Sequence, residues 1–232
     1  MNDPSAAALL QQYVEASIHL ILHQRRVYEQ EIFERRRLFD VTIFRSRHVE
    51  LNDYIALVAE GARELLERGE ADAVVISIMG EPRDGSSAGS SAQEVLERFR
   101  LSFHPPPPSQ SHAIGSGVGG GAGPSSSADL DALRAHLRGF LLKLHVCDTL
   151  LPPLPRHMRL SFTCELHTDL TRSAQPLTPQ LLQQWVECGP RDGGSSGASS
   201  GPGGGEAILI PLKSLSLDDG TTVSLNAMTY CG

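Results

Sequence analysis

The stretch DLDALRAHLRGFLLKLHVCDTLL, residues 129–151, constrains the fold more than any other part of the chain. Leu130, Leu133, Leu137, Phe140, Leu144, Cys147 and Leu151 step by three and four residues, the spacing that gathers side chains on one helical face. Ser127 and Asp129 supply N-cap chemistry at one end, and Pro152 and Pro153 stop the helix at the other. The spacing predicts a helix of about 23 residues, roughly 34 Å long at ~1.5 Å per residue. Leu141 widens the apolar stripe, while Arg134, His136, Arg138 and Lys143 fall outside it. Such a stripe has to be covered, so the rest of the fold is expected to pack against this rod.

Two further helices are expected. Residues 5–26 place Leu9, Leu10, Tyr13, Val14, Ser17, Ile18, Ile21 and Leu22 on one broad face. Residues 50–68 carry Leu51, Ile55, Val58, Ala62, Leu65 and Leu66 as a stripe, and Gly69 follows as a residue able to take positive φ at the helix end. Between them, residues 23–48 hold seven arginines against Glu29, Glu31, Glu34 and Asp40, a mixture that reads as a solvated, ion-paired surface. Three strands follow from shorter patterns. Ala73–Met79 is a β-branched run bounded by breakers, Val95–Phe103 alternates apolar and polar residues, and Met158–Thr168 places Leu160, Phe162, Cys164 and Leu166 on one face. The first two are expected to pair antiparallel. Residues 177–188 suggest a short helix opened by Thr178-Pro179 before Trp185. Near the end, Ala207–Leu212 is a strand whose Pro211 confines it to an edge or an end, and Asp219-Gly220 between apolar runs predicts a hairpin turn.

Three low-complexity stretches, residues 80–92, 104–127 and 189–205, leave roughly 178 of the 232 residues for structure, the size of one domain. With 40% hydrophobic residues the chain can build one core unaided. A net charge of −7 argues against a surface that grips nucleic acid throughout, because phosphate binding needs a basic footprint. No apolar run reaches the ~18 residues of a membrane span, and no basic segment opens a signal peptide. The four cysteines are widely spaced, so a reducing compartment is expected, with Cys147 a small buried hydrophobe on the long helix.

Several catalytic patterns fail on context. Residues 115–120 satisfy G-x-G-x-x-G, but no strand precedes them. Three G-x-S-x-G matches, around Ser87, Ser195 and Ser199, lie in Gly/Ser-rich tracts where composition alone produces them. Cys164 and His167 stand three apart in an expected strand, so they face opposite sides. His19 and His23 are spaced to share a metal on one helical face, but lack a third ligand or an H-E-x-x-H setting. An enzyme is therefore not expected, and neither is a metal or cofactor.

Taken in order, YVEASIHLILHQRRVYEQEIF (13–33), LNDYI (51–55), FLLKLHVCD (140–148) and LIPLK (209–213) resemble the HORMA-domain accessory subunits of translesion DNA polymerase zeta. The resemblance implies an α+β domain spanning residues 5–230, with three helices backing an antiparallel sheet. It also implies a C-terminal safety belt, residues 169–230, whose hairpin closes over a partner peptide. By the same resemblance, Tyr54 and Trp185 match aromatic positions that contact a proline-containing motif of the polymerase catalytic subunit. Leu209, Ser224 and Asn226 lie where the family docks the C-terminal domain of the Rev-one scaffold polymerase. Arg138 matches a position used for pairing with a second HORMA domain, and an AAA+ remodelling ATPase is a further implied partner. The implied role is a non-catalytic adaptor in translesion synthesis, located in the nucleus. Two rival readings stand beside it: a spindle-checkpoint type of HORMA adaptor, and a protein binding DNA directly through Arg25, Arg26, Arg35, Arg36, Arg37, Arg45 and Arg47.

Overall fold

The computed structural model describes residues 5–82, 93–104, 127–168, 206–216 and 222–231. Helix α1 (Ala6–Gln24) starts at Ser5, whose hydroxyl accepts the Ala8 N–H at 3.2 Å and so satisfies one of the free donors of the first turn. Leu9, Leu10, Tyr13, Val14, Ile18, Leu20, Ile21 and Leu22 are all buried, which takes in more than one face. A helix apolar on several sides belongs inside, and α1 is the central helix, packed against both other helices. Helix α2 (Val49–Glu67) is capped by His48, whose Nδ1 accepts the Leu51 N–H, and it buries Ile55, Val58, Ala59, Ala62 and Leu65. Gly69, at φ 69°, follows its end as expected.

Helix α3 (Ser127–His145) is shorter than its stripe predicts. The chain tightens into a 3-10 turn at Cys147–Thr149, so the helix ends six residues before Leu151. Pro152, which has no N–H and disfavours helical backbone at the residue before it, keeps the helix from resuming past that turn. Cys147 and Leu151 are nonetheless buried, so the stripe continues inward past the helix itself. Asp129 sits in the first helical turn rather than before it.

The main sheet has five strands in the order β5-β3-β4-β7-β6, every neighbouring pair antiparallel: β3 (Ala71–Pro82), β4 (Glu94–His104), β5 (Met158–Thr168), β6 (Glu206–Ser216) and β7 (Thr222–Cys231). Val74, Ile76 and Ile78 of β3 and Phe99, Leu101 and Phe103 of β4 join the helices in one core. The β3–β4 pairing is the one expected, but β3 runs on through Gly80 to Pro82, inside a stretch that composition alone assigns to a loop. His104 likewise belongs to β4 and Ser127 to α3, so two of the three low-complexity tracts are trimmed at their ends. Pro211 lies on the edge strand β6, beside a break in register between Pro211 and Lys213. The short helix expected at 177–188 and the turn at Asp219-Gly220 lie outside the described residues.

A second, two-stranded sheet is absent from the sequence reading. Strands β1 (Phe33–Leu38) and β2 (Val41–Ser46) form a hairpin whose turn residues, Phe39 and Asp40, both have positive φ, 48° and 59°. That is the backbone of a twist-matched two-residue turn, here made without glycine. The hairpin buries Phe33, Val41 and Ile43 and leaves Arg35, Arg36 and Arg37 exposed. Ion pairs Arg36–Glu34, Arg37–Asp40 and Arg45–Glu15 agree with the ion-paired surface expected there. Arg25 corrects it. Only 3% exposed, it holds Glu97 of β4 through Nε at 2.9 Å and Nη2 at 2.6 Å, Asp148 through Nη1 at 2.5 Å, and the Pro152 carbonyl at 2.5 Å. Burial pushes the Glu97 carboxyl up, and the Arg25 guanidinium opposes the shift. The group ties α1, β4 and the turn after α3 together, and it is closed to any phosphate.

Candidate functional site

Strand β5 forms one edge of the main sheet, with β3 on one side and no other described strand beside it. In an antiparallel ladder alternate residues turn their N–H and C=O groups outward. The Cys164 N–H donates to the Tyr54 hydroxyl of α2 at 3.2 Å, so Cys164 belongs to the outward set. Unbroken register with β3 from Ala73 to Pro82 then places Leu160, Phe162 and Leu166 in the same set. This is an edge able to take an added strand through main-chain hydrogen bonds.

An aromatic group lies along it. The Phe162 ring meets Tyr54 edge-on, with centroids 5.6 Å apart at 75°, and meets Tyr28 edge-on at 6.2 Å and 88°. Such tilted pairs hold rings in fixed orientations and present flat, partly apolar surface. Tyr54 is 38% exposed, so the group is reachable from solvent. Burial pushes the Tyr54 hydroxyl up to about 12, the Cys164 thiol adding to the shift and the Cys164 N–H opposing it, and burial pushes the Cys164 thiol up to about 12 as well. Both are neutral at physiological pH, so Cys164 is not an activated nucleophile. His167, on the other face of β5, pairs with Glu165 at 3.1 Å.

The other residues singled out in the sequence lie apart from this edge. Leu209 of β6 stands opposite Met228 of β7, and Asn226 stands opposite Pro211, two register positions along. Ser224 and Asn226 also pair with Ser102 and Arg100 of β4. The register thus sets Leu209, Ser224 and Asn226 on the β6–β7 hairpin, across the sheet from β5, with Leu209 four register positions from Ser224. Arg138 is exposed on α3, followed at four-residue spacing by the exposed apolar residues Leu142, Val146 and Leu150. Trp185 lies outside the described residues, as do Ser87, Ser195 and Ser199. His19 and His23 have structural surroundings: His19 is buried, its Nδ1 accepting the Ser46 N–H at 3.5 Å, and the His23 ring stacks on Phe44 at 3.7 Å. Among the described residues, no group of three or more His, Cys, Asp or Glu side chains is placed to hold a metal, and no helix is long and apolar enough to cross a membrane.

Tyr28 and Phe162 were missed as site residues. Phe162 was legible as part of an alternating strand, but nothing local marks that strand as a free edge. Tyr28 sits in the charged segment after α1, and no periodicity points it at β5.

The HORMA-domain family matches residues 6–180. The mitotic spindle assembly checkpoint protein MAD2B of Bos taurus is 31% identical over 218 residues, covering 91% of this chain and 85% of that protein. The DNA polymerase zeta processivity subunit of Arabidopsis thaliana is 28% identical over 179 residues, covering 75% of this chain and 71% of that protein. Among solved structures, a chain of the mitotic checkpoint complex superposes with a TM-score of 0.67 at 16% identity, covering 97% of this chain and 98% of that one. Caenorhabditis elegans HTP-1 bound to the HIM-3 closure motif superposes with a TM-score of 0.58 at 12% identity, covering 97% and 91%. This chain belongs to the HORMA-domain family, in the group that holds MAD2B and the DNA polymerase zeta processivity subunits.

Proposed function

We propose that this chain is the non-catalytic adaptor subunit of DNA polymerase zeta, clamping a short proline-containing motif of the catalytic subunit and bridging it to the Rev-one scaffold polymerase in translesion synthesis in the nucleus. The observation that carries this reading is the edge of β5, which has no described strand beside it and is lined by Tyr54, Phe162 and Tyr28. An extended motif adds to that edge by main-chain hydrogen bonds, and the flat rings receive proline, whose ring packs on aromatic faces without needing a donor. The hairpin β6–β7, paired with β4 on the other side of the sheet, is the part of the safety belt that anchors the clamp. Trp185 contributes the second aromatic contact from the belt. Leu209, Ser224 and Asn226 receive the scaffold polymerase, and Arg138 pairs with a second HORMA domain. Similarity to the processivity subunits supports a polymerase partner, and similarity to the spindle-checkpoint protein MAD2B keeps a mitotic partner as the second reading. Direct DNA binding has less support, because Arg25 is buried and Arg36, Arg37 and Arg45 are paired with acids.

The test is fluorescence anisotropy of a labelled proline-containing peptide from the polymerase zeta catalytic subunit of the same species. The wild-type chain is expected to bind tightly, and Tyr54→Ala and Trp185→Ala each to weaken binding at least about tenfold, ~1.4 kcal/mol. Absence of binding by the wild-type chain would remove the polymerase reading and leave the checkpoint type of adaptor to be tested with mitotic peptides.

A further inference from the structure

The hydrogen bond between Tyr54 and β5 does more than hold a side chain in place. A backbone N–H at a sheet edge points in the plane of the sheet, toward the place where the carbonyl of a neighbouring strand would stand. Tyr54 Oη lies 3.2 Å from the Cys164 N and accepts that N–H. It therefore occupies the acceptor position that an added strand would use at this rung. The side chain reaches there from α2, and its ring is steadied edge-on by Phe162, itself one of the outward-turned residues.

We propose that Tyr54 is a displaceable plug of the β5 edge, whose hydroxyl satisfies the Cys164 N–H until an incoming strand takes its place. The proposal rests on the reading of β5 as the peptide-binding edge, and gives Tyr54 two separable parts. The ring forms the surface that receives the peptide. The hydroxyl competes with it for one backbone donor, which keeps an exposed edge from pairing with unrelated strands. Because the hydroxyl is neutral at physiological pH, the competing bond is an ordinary one that a backbone carbonyl can replace. A partner motif that fills the aromatic surface gains enough elsewhere to displace it, whereas an arbitrary strand must displace it without that gain.

The variant that separates the two parts is Tyr54→Phe, which keeps the ring and deletes the hydroxyl. Residue-resolved amide hydrogen exchange is expected to show the Cys164 N–H exchanging about tenfold faster in Tyr54→Phe than in the wild-type chain, with amides of β3 unchanged. Unchanged exchange at Cys164 would overturn the plug, whatever the ligand. The labelled polymerase peptide is expected to bind Tyr54→Phe about three- to tenfold more tightly than the wild type, the scale of one freed hydrogen bond, while Tyr54→Ala binds more weakly. Equal or weaker binding by Tyr54→Phe, with the wild type binding normally, would overturn displacement while leaving the edge reading intact. If the wild type does not bind but Cys164 exchange rises in Tyr54→Phe, the polymerase reading falls and the plug stands as a cap on the edge.

Discussion

His19 shows how a single residue of the core ties stability to pH. It is 1% exposed in the buried face of α1, and its Nδ1 accepts the Ser46 N–H at the end of the β1–β2 hairpin. Burial, and secondarily the nearby Arg45, pull its pKa down to about 4. The unfolded chain takes up a proton near the ordinary value of ~6.5, whereas the folded chain resists until about 4. The contribution of this group is therefore complete above pH ~6.5 and is lost as pH falls toward 4. Between pH 6.5 and pH 5 the loss amounts to about 2 kcal/mol at ~1.4 kcal/mol per pKa unit. Thermal melts of the wild-type chain are expected to drop across that interval, and those of His19→Gln to drop less. Equal slopes would mean that other groups carry the acid sensitivity. The sequence marked His19 only by its spacing from His23, which suggested a shared face. Its burial, and the different neighbours of the two rings, depend on the hairpin that packs over them. Tyr54 is a similar case: the family resemblance pointed to it, but its bond to Cys164 spans 110 residues and no local pattern encodes it.

At the scale of elements, what was legible follows periodicity. The stripes of α1, α2 and α3 and the alternation in β4 and β5 each sit in a run long enough to show its period, and all but α3, which ends six residues short, lie within two residues of their expected bounds. Where proline intervenes, as after Cys147, the stripe outlives the helix, because burial and helical backbone are separate demands. The β1–β2 hairpin was invisible for a physical reason. FERRRL carries three arginines in a row, and its turn is Phe-Asp rather than Asn-Gly, so both hairpin signals are missing. The outer surface of α3 carries the prediction at this scale. Beyond Arg138, Leu142 on α3 and Val146 and Leu150 at the two ends of the 3-10 turn after it are 48%, 46% and 53% exposed, apolar side chains near a charge. On the proposed reading, these exposed apolar groups and Arg138 meet a second HORMA domain. Sedimentation velocity is expected to show concentration-dependent self-association of the wild-type chain, reduced in Arg138→Ala. A wild-type chain that stays monomeric, or an Arg138→Ala variant that associates equally well, would sink the assignment of Arg138.

For the whole molecule, the decisive property is strand order, which no local pattern carries. Residues 169–205 join β5 at one edge of the sheet to β6 at the other, across four inter-strand spacings, roughly 19 Å at ~4.8 Å each. The Gly/Ser-rich tract within them adds length but little closure cost, since loop entropy grows only with the logarithm of length. In the proposed clamp, retention of a peptide at β5 depends on what fixes the far end of the belt, and the ladder between β7 and β4, running from Glu97↔Thr229 to His104↔Thr222, is the described contact that does so. If release requires this ladder to open, weakening it should act on the dissociation rate rather than on the edge where the peptide sits. Ala227→Pro provides the test, because Ala227 pairs with Phe99 of β4 and Ile210 of β6, and proline at a strand interior deletes one ladder bond. A lost buried bond costs about 1–3 kcal/mol, so a preformed complex is expected to release the labelled polymerase peptide about tenfold faster or more. The Cys164 amide exchange rate should stay as in the wild type, since β3 and β4 stand between β5 and the substituted strand. Unchanged release from Ala227→Pro would show that contacts at β5 alone hold the peptide, and that the hairpin is a structural neighbour of the clamp and not its latch.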